Sequence, residues 1–65
     1  MAFSEAPLTE LDRVRLKKPI SAKGRSFAPG LLGTVVYGHG TAAYEIEFPG
    51  ISDIFQIPAA FLEKA

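Results

Sequence analysis

The chain has 65 residues, of which 48% are apolar, and its seven basic and seven acidic side chains give a formal net charge of zero. This length fits one small domain, and the apolar fraction is too high for a disordered tail. The chain has no cysteine, which excludes a disulfide framework, a thiolate zinc site and a cysteine nucleophile.

Prolines and glycines divide the chain into short segments, a pattern that indicates an all-β fold. Residues 1–10 show no hydrophobic period, so we predict a flexible N-terminal arm before a domain at residues 11–65. Apolar and basic side chains alternate at residues 12–16, which predicts the first strand. Residues 17–32 contain two prolines and two glycines and predict one long irregular loop without further strands.

The middle of the chain predicts a hairpin. Residues 34–37 are β-branched and aromatic, as strands prefer. Gly38 and Gly40 can take the positive φ of a tight turn, so this strand is expected to connect directly to the next. That next strand is predicted at residues 43–48, where apolar and acidic side chains alternate strictly.

The last third of the chain predicts two short strands separated by a turn of helix. Pro49 and Gly50 favour a type II turn, which leads into a fourth strand at residues 54–57. Pro58 is suited to the first position of a single helical or 3₁₀ turn. A short fifth strand is then expected at residues 61–63.

This order of elements is the layout of a small SH3-like barrel with about five strands, one long irregular loop and a short 3₁₀ turn before the last strand. A 65-residue chain can bury only a small core, so the stability of the fold is expected to be marginal. Self-association is one way to bury more surface. The predicted core consists of apolar side chains that share one face of each strand, namely Val14, Leu16, Leu32, Val35, Tyr44, Ile46, Phe48, Phe55, Ile57 and Leu62.

Two polar features are candidates for chemical sites. His39 lies in the predicted hairpin tip, where a solvated turn residue is more common than a metal ligand or a base. Glu45 and Glu47 share one strand face, roughly 7 Å apart by strand rise. That spacing suits a cation or acid–base chemistry, although the solvent face of a half-buried strand has the same pattern. A single histidine leaves the serines without a base, so we predict no catalytic residue, no metal and no cofactor.

Six of the seven basic residues lie between positions 13 and 25. With the aromatic ring in the same loop they form the predicted contact set, namely Arg13, Arg15, Lys17, Lys18, Lys23, Arg25 and Phe27. A positive patch suits an acidic partner or a nucleic-acid backbone, with Phe27 stacking on a base. Alternatively, the two arginines pair with Glu45 and Glu47 across strands. The zero net charge disfavours nucleic acid, because nucleic-acid affinity comes mainly from released counterions.

Apolar side chains also exceed what so small a barrel can enclose. Val36, Ile54, Phe27, Phe61 and Ile51 cannot all be buried together with the predicted core, so some of them are expected at the surface. An exposed apolar patch usually marks an interface. We therefore expect a protein partner or a second copy of the chain.

Several motifs resemble a family of short bacterial proteins of unknown function that have an SH3-like barrel. The motifs are LDRVRL at residues 11–16, PGLLGTVV at residues 29–36, YEIEF at residues 44–48 and IPA at residues 57–59, followed by Leu62. The resemblance covers residues 11–64. It implies the fold and no particular reaction.

A more distant resemblance is to the plasmid-borne type II dihydrofolate reductases, on DRVR at residues 12–15 and PAAFLEK at residues 58–64. These enzymes are SH3-like homotetramers that bind NADPH and dihydrofolate in one central pore. The resemblance implies an alternative function as an NADPH-dependent oxidoreductase. Gln56 and Ile57 would then line the pore, and Lys17 or Lys18 would attract the anionic ligands.

The reductase pattern differs in its pore strand, which is Val-Gln-Ile-Tyr before a proline. Here Ile-Phe-Gln-Ile precedes Pro58, so the tyrosine is absent and the glutamine lies one position nearer the proline. A one-residue slip turns a strand side chain to the opposite face.

The expected function is therefore a non-catalytic binding or interaction module of bacterial origin that binds a protein partner or itself. Reductase activity and nucleic-acid binding are the alternatives. No apolar run approaches the roughly 20 residues that cross a bilayer. Residues 1–5 lack the basic start of a secretory signal, so we expect a cytoplasmic protein with no membrane partner.

Overall fold

The computed structural model of the chain describes residues 8–40 and 42–65, which form an all-β domain. A 3₁₀ turn, η1 (Ala59–Phe61), precedes the last strand, and no helix in the described part is long and apolar enough to cross a membrane. The strands are β1 (Arg13–Leu16), β2 (Ile20–Ala22), β3 (Arg25–Phe27), β4 (Leu32–His39), β5 (Ala43–Glu47), β6 (Ile54–Pro58) and β7 (Leu62–Lys64).

Five of these strands form one antiparallel sheet in the order β6-β5-β4-β1-β7, and β2 and β3 form a separate two-stranded sheet. The predicted all-β class is confirmed, with a long excursion after β1 and a 3₁₀ turn before β7. The five predicted strands are confirmed as β1, β4, β5, β6 and β7, within two residues at either end.

The prediction of a single irregular loop at residues 17–32 is wrong in one respect, because the segment contains the β2–β3 hairpin. Ile20 pairs with Phe27 and Ala22 with Arg25. The two residues between the strands, Lys23 and Gly24, have φ values of 53° and 75°. Positive φ at both central positions is the signature of a type I′ turn, whose twist matches that of the flanking strands.

The other connections follow the predicted turn chemistry. Gly50 has φ of 78°, and the Ile51 amide donates to the Phe48 carbonyl at 3.2 Å, as expected for a turn centred on Pro49 and Gly50. Gly40 has φ of 64° and lies in the direct connection between β4 and β5. The predicted role of Gly38 in the turn is wrong, because Gly38 lies within β4 and does not have positive φ. His39 is the last residue of β4 and not the tip of the turn.

Nine of the ten predicted core residues are buried, with at most 3% of each exposed. Leu32 is the exception and is 40% exposed. Leu32 pairs with Arg15, whereas Gly33 pairs with the buried Val14, so the inward position in β4 belongs to the glycine. The prediction that Leu32 lies in the core is therefore wrong by one strand position, which reverses the face.

Gly33 leaves room for the core of the next strand. A Cβ at this position would lie 2.7 Å from the Ile46 Cγ2 atom and 3.0 Å from the ring of Phe48. Real Cβ atoms do not approach other carbons so closely, and interiors are packed to crystal-like density. Close approach of β4 to these two side chains therefore depends on the missing side chain at Gly33.

Three phenylalanines form the aromatic part of the core beneath the hairpin. The ring of Phe27 lies 4.9 Å from that of Phe48 and 5.2 Å from that of Phe55, measured between centroids, with the second pair edge to face. Such pairs are favourable aromatic geometries. Phe27 thus anchors β3 to the core.

The flexible arm predicted for residues 1–10 lies mostly outside the described residues. Within the described part, Leu8 packs against the core, and its amide donates to the Tyr44 hydroxyl at 3.2 Å. The carboxylate of Asp12 accepts hydrogen bonds from the amide and the hydroxyl of Thr9 at 2.9 and 3.2 Å. These contacts attach residues 8–12 to the domain.

Candidate functional site

The candidate site is the outer face of the large sheet, the surface opposite the buried core. Its side chains alternate with the buried ones along each strand. They include Arg13 and Arg15 of β1, Leu32, Thr34, Val36, Tyr37 and His39 of β4, Glu45 and Glu47 of β5, Ile54 and Gln56 of β6 and Glu63 of β7.

A β-bulge places two consecutive large side chains of β4 on this face. Val35 pairs with Ile46, and Tyr37 pairs with Glu45, so Val36 is the extra residue between them. An extra residue locally resets the alternation of a strand. Val36 and Tyr37 are consequently both exposed, by 36% and 54%.

The large hydrophobic side chains that are exposed in residues 8–40 and 42–65 belong to β4 or to Leu11, whose backbone is hydrogen-bonded to β4. Leu32, Val36 and Tyr37 lie on β4 itself. Leu11 is 79% exposed, and its amide donates to the Val35 carbonyl at 2.8 Å. The apolar surface is therefore concentrated along one strand at the middle of the sheet.

Charges of opposite sign lie on the two sides of this apolar strand. Arg13 and Arg15 lie on β1, and Glu45 and Glu47 lie on β5. Arg13 and Glu47 occupy one row of the sheet, because both pair with Thr34 from opposite sides. Two strand spacings, roughly 10 Å, separate them. Across three adjacent strands, the outer face is thus basic on β1, apolar on β4 and acidic on β5.

The predicted pairing of the two arginines with Glu45 and Glu47 is not found in the part of the chain that the structure describes. The Arg15 Nη1 atom lies 3.1 Å from the Glu63 Oε2 atom on β7. Glu45 instead accepts a hydrogen bond from His39, with 2.8 Å between its Oε2 atom and the histidine Nε2 atom. Arg15 and Glu45 are therefore engaged on opposite sides of the apolar strand.

His39 has a carboxylate partner that its sequence neighbours did not reveal, because the β4–β5 hairpin brings Glu45 beside it. The ring of Tyr37 packs edge to face on that of His39, with 5.2 Å between centroids. Tyr37, His39 and Glu45 thus form a connected cluster. In this cluster the His39 ring contacts both the exposed Tyr37 ring and the Glu45 carboxylate. In the described part of the chain, no group of three His, Cys, Asp or Glu side chains is arranged to hold a metal ion.

The residues of the predicted contact set do not lie together in the structure. Lys18 Nζ lies 5.3 Å from the centroid of the Phe61 ring, in the 3₁₀ turn after β6. Lys23 Nζ donates to the Ile54 carbonyl at the start of β6 and lies 5.0 Å from the centroid of the Phe55 ring. A five-residue strand spans roughly 13 Å, so the two lysines are held near opposite ends of β6.

The remaining members of the contact set are also dispersed. Arg13 and Arg15 belong to the outer face, Lys17 follows β1, and Arg25 is exposed on the hairpin. Phe27 is half-buried between the hairpin and the core. Its ring is used in packing, which leaves it poorly placed for the predicted stacking on a base.

The alternative pore residues lie on different faces of β6. Gln56 is exposed on the outer face, opposite Glu45, whereas Ile57 is 1% exposed and pairs with Tyr44 in the core. The prediction that Ile57 lines a pore is therefore wrong, since its side chain is enclosed within its own domain. Gln56 alone remains available to an assembly.

Comparisons of the chain with family models, with curated proteins and with solved structures found no match.

Proposed function

We propose that this protein is a non-catalytic interaction module that contacts another protein through the outer face of its large sheet. The observation that carries the proposal is the concentration of exposed apolar side chains on and beside β4. Contiguous apolar surface on a small domain typically marks a protein interface.

The character of the face supports a protein as the occupant. Tyrosine is enriched at the centres of protein interfaces because it buries a large apolar area at a small entropic cost. Tyr37 is 54% exposed, and its ring is already packed against His39. A ring that is held before binding loses less freedom on binding. The face also carries charges of both signs, whereas a nucleic-acid surface is predominantly basic.

Photo-crosslinking tests this proposal. A benzoyl-phenylalanine introduced in place of Tyr37 is expected to form covalent adducts with protein in the host cell, because this position lies at the middle of the proposed contact face. The matched control carries the same amino acid in place of Ser21, which is exposed on the β2–β3 hairpin. Adducts at position 37 that are absent at position 21 support the proposal. Equal labelling at both positions, or none at either, would contradict it.

A spectrophotometric assay with NADPH and dihydrofolate tests the non-catalytic part of the proposal separately. We expect no turnover above the rate without protein. Turnover would favour the reductase alternative instead. A variant with Gln56 replaced by Ala would then show whether that exposed side chain contributes to binding of the two ligands.

A further inference from the structure

The order of charges across the outer face allows this surface to bind a second copy of itself. Basic side chains lie on β1, apolar side chains on β4 and acidic side chains on β5. Rotation by 180° about an axis parallel to β4, lying between two stacked sheets, exchanges the two sides of the face. The basic strand of each copy then lies over the acidic strand of the other.

We propose that the occupant of the outer face is a second copy of this chain, related by a two-fold axis parallel to β4. This inference rests on the proposed function and names the partner of the same face. Such an interface is isologous, as in every two-fold dimer, since each copy contributes the same patch. Residues of β4 on the axis would meet their own counterparts, Leu32 with Leu32 and Tyr37 with Tyr37.

The strand register identifies the charged contact. Arg13, Thr34 and Glu47 occupy one row of the sheet, and the rotation preserves the position along β4. Arg13 of one copy is therefore placed over Glu47 of the other, and the contact occurs twice. Within the described part of one chain, neither side chain has an ion-pair partner. Aligned sheets pack about 10 Å apart, which is within reach of an arginine and a glutamate.

Two further observations favour a second copy over a different partner. The formal net charge is zero, so two copies approach without long-range repulsion. A partner of one charge would match one side of the face and be repelled by the other. The interacting surface covers only about three strands, which is typical of a small, weak and concentration-dependent interface.

Charge reversal tests the geometry. Sedimentation equilibrium of the wild-type chain, up to about 1 mM, is expected to show a monomer–dimer equilibrium. Arg13→Glu and Glu47→Arg each place like charges in both contacts and are expected to weaken the dimer about tenfold. The double variant restores opposite charges at both contacts and is expected to return to within about threefold of the wild-type dissociation constant.

The matched control is Arg25→Glu, which makes the same change of charge on the exposed hairpin and is expected to shift the dissociation constant less than twofold. Circular dichroism confirms that each variant is folded. A wild-type chain that stays monomeric, or a double variant that does not recover, overturns the inference. If position 37 nevertheless crosslinks to a different protein, the proposed function stands and only the choice of partner fails.

Discussion

At the scale of single residues, the polar contacts of Asp12 stabilise the chain just before β1. Asp12 accepts hydrogen bonds from Thr9 and lies 3.8 Å from the Lys64 Nζ atom. The backbone hydrogen bond from Thr9 is the main cause of a lowered pKa for the Asp12 carboxyl, and the charge of Lys64 lowers it further. Because the hydrogen bonds favour the charged form, they stabilise the folded state only while Asp12 is ionised.

This arrangement predicts a pH-dependent contribution to stability. A carboxyl with a depressed folded pKa stabilises the fold above its unfolded pKa, and the contribution disappears as pH falls through the folded value. Asp12→Asn is therefore expected to lower the urea midpoint near neutral pH. The difference from wild type should vanish at a pH well below the ordinary value of 3.8. The exposed Asp53→Asn is the control, and a difference that persisted in acid would contradict the assignment.

At the scale of elements, β4 organises both faces of the sheet. Its inner side has a glycine where β4 approaches Ile46 and Phe48. Its outer side has the bulge that exposes Val36 and Tyr37. The two features have different consequences. The glycine determines how tightly the core packs, and the bulge determines which side chains are exposed on the surface.

The inner feature predicts a large effect of a small change. Gly33→Ala places a Cβ 2.7 Å from the Ile46 Cγ2 atom and is expected to destabilise the domain by about 1–3 kcal/mol through overpacking. Gly38→Ala, on the same strand, places its Cβ 3.4 Å from the Tyr44 ring and should be close to neutral. Urea denaturation of both variants measures the difference. Equal stabilities would show that β4 can move away from the core at no cost.

The β2–β3 hairpin is the element that sequence patterns did not indicate. Its strands have three residues each, too few to establish an alternation. Its turn has Lys23 at a position where Asn or Asp usually signals type I′ geometry. The lysine side chain reaches the Ile54 carbonyl, and Phe27 packs against Phe48 and Phe55. Tertiary contacts therefore define the hairpin, and local propensity does not.

At the scale of the whole molecule, the proposed dimer couples stability to concentration. A partner that binds only the folded chain stabilises it by mass action. The melting temperature of the wild-type chain is expected to rise by roughly 3–5 °C for each tenfold increase in concentration once the dimer predominates. Arg13→Glu should show a smaller rise over the same range, and differential scanning calorimetry measures both. A melting temperature independent of concentration would argue against the dimer.

The sequence by itself determined the β class, the order of the five main strands, the turns at Pro49 and Gly50, and nine of the ten core positions. Hydrophobic alternation and turn chemistry are local properties of the sequence. They can be recognised wherever one face of a strand is buried. Only the tertiary structure decided the face of Leu32, the exposure of Tyr37 and the partner of His39. A bulge, a glycine in the core and a cross-strand neighbour all depend on register, which residues distant in the chain establish. The candidate site consists mainly of such positions. Which side chains lie side by side on the outer face depends on how the strands pair, and the sequence alone does not show that pairing.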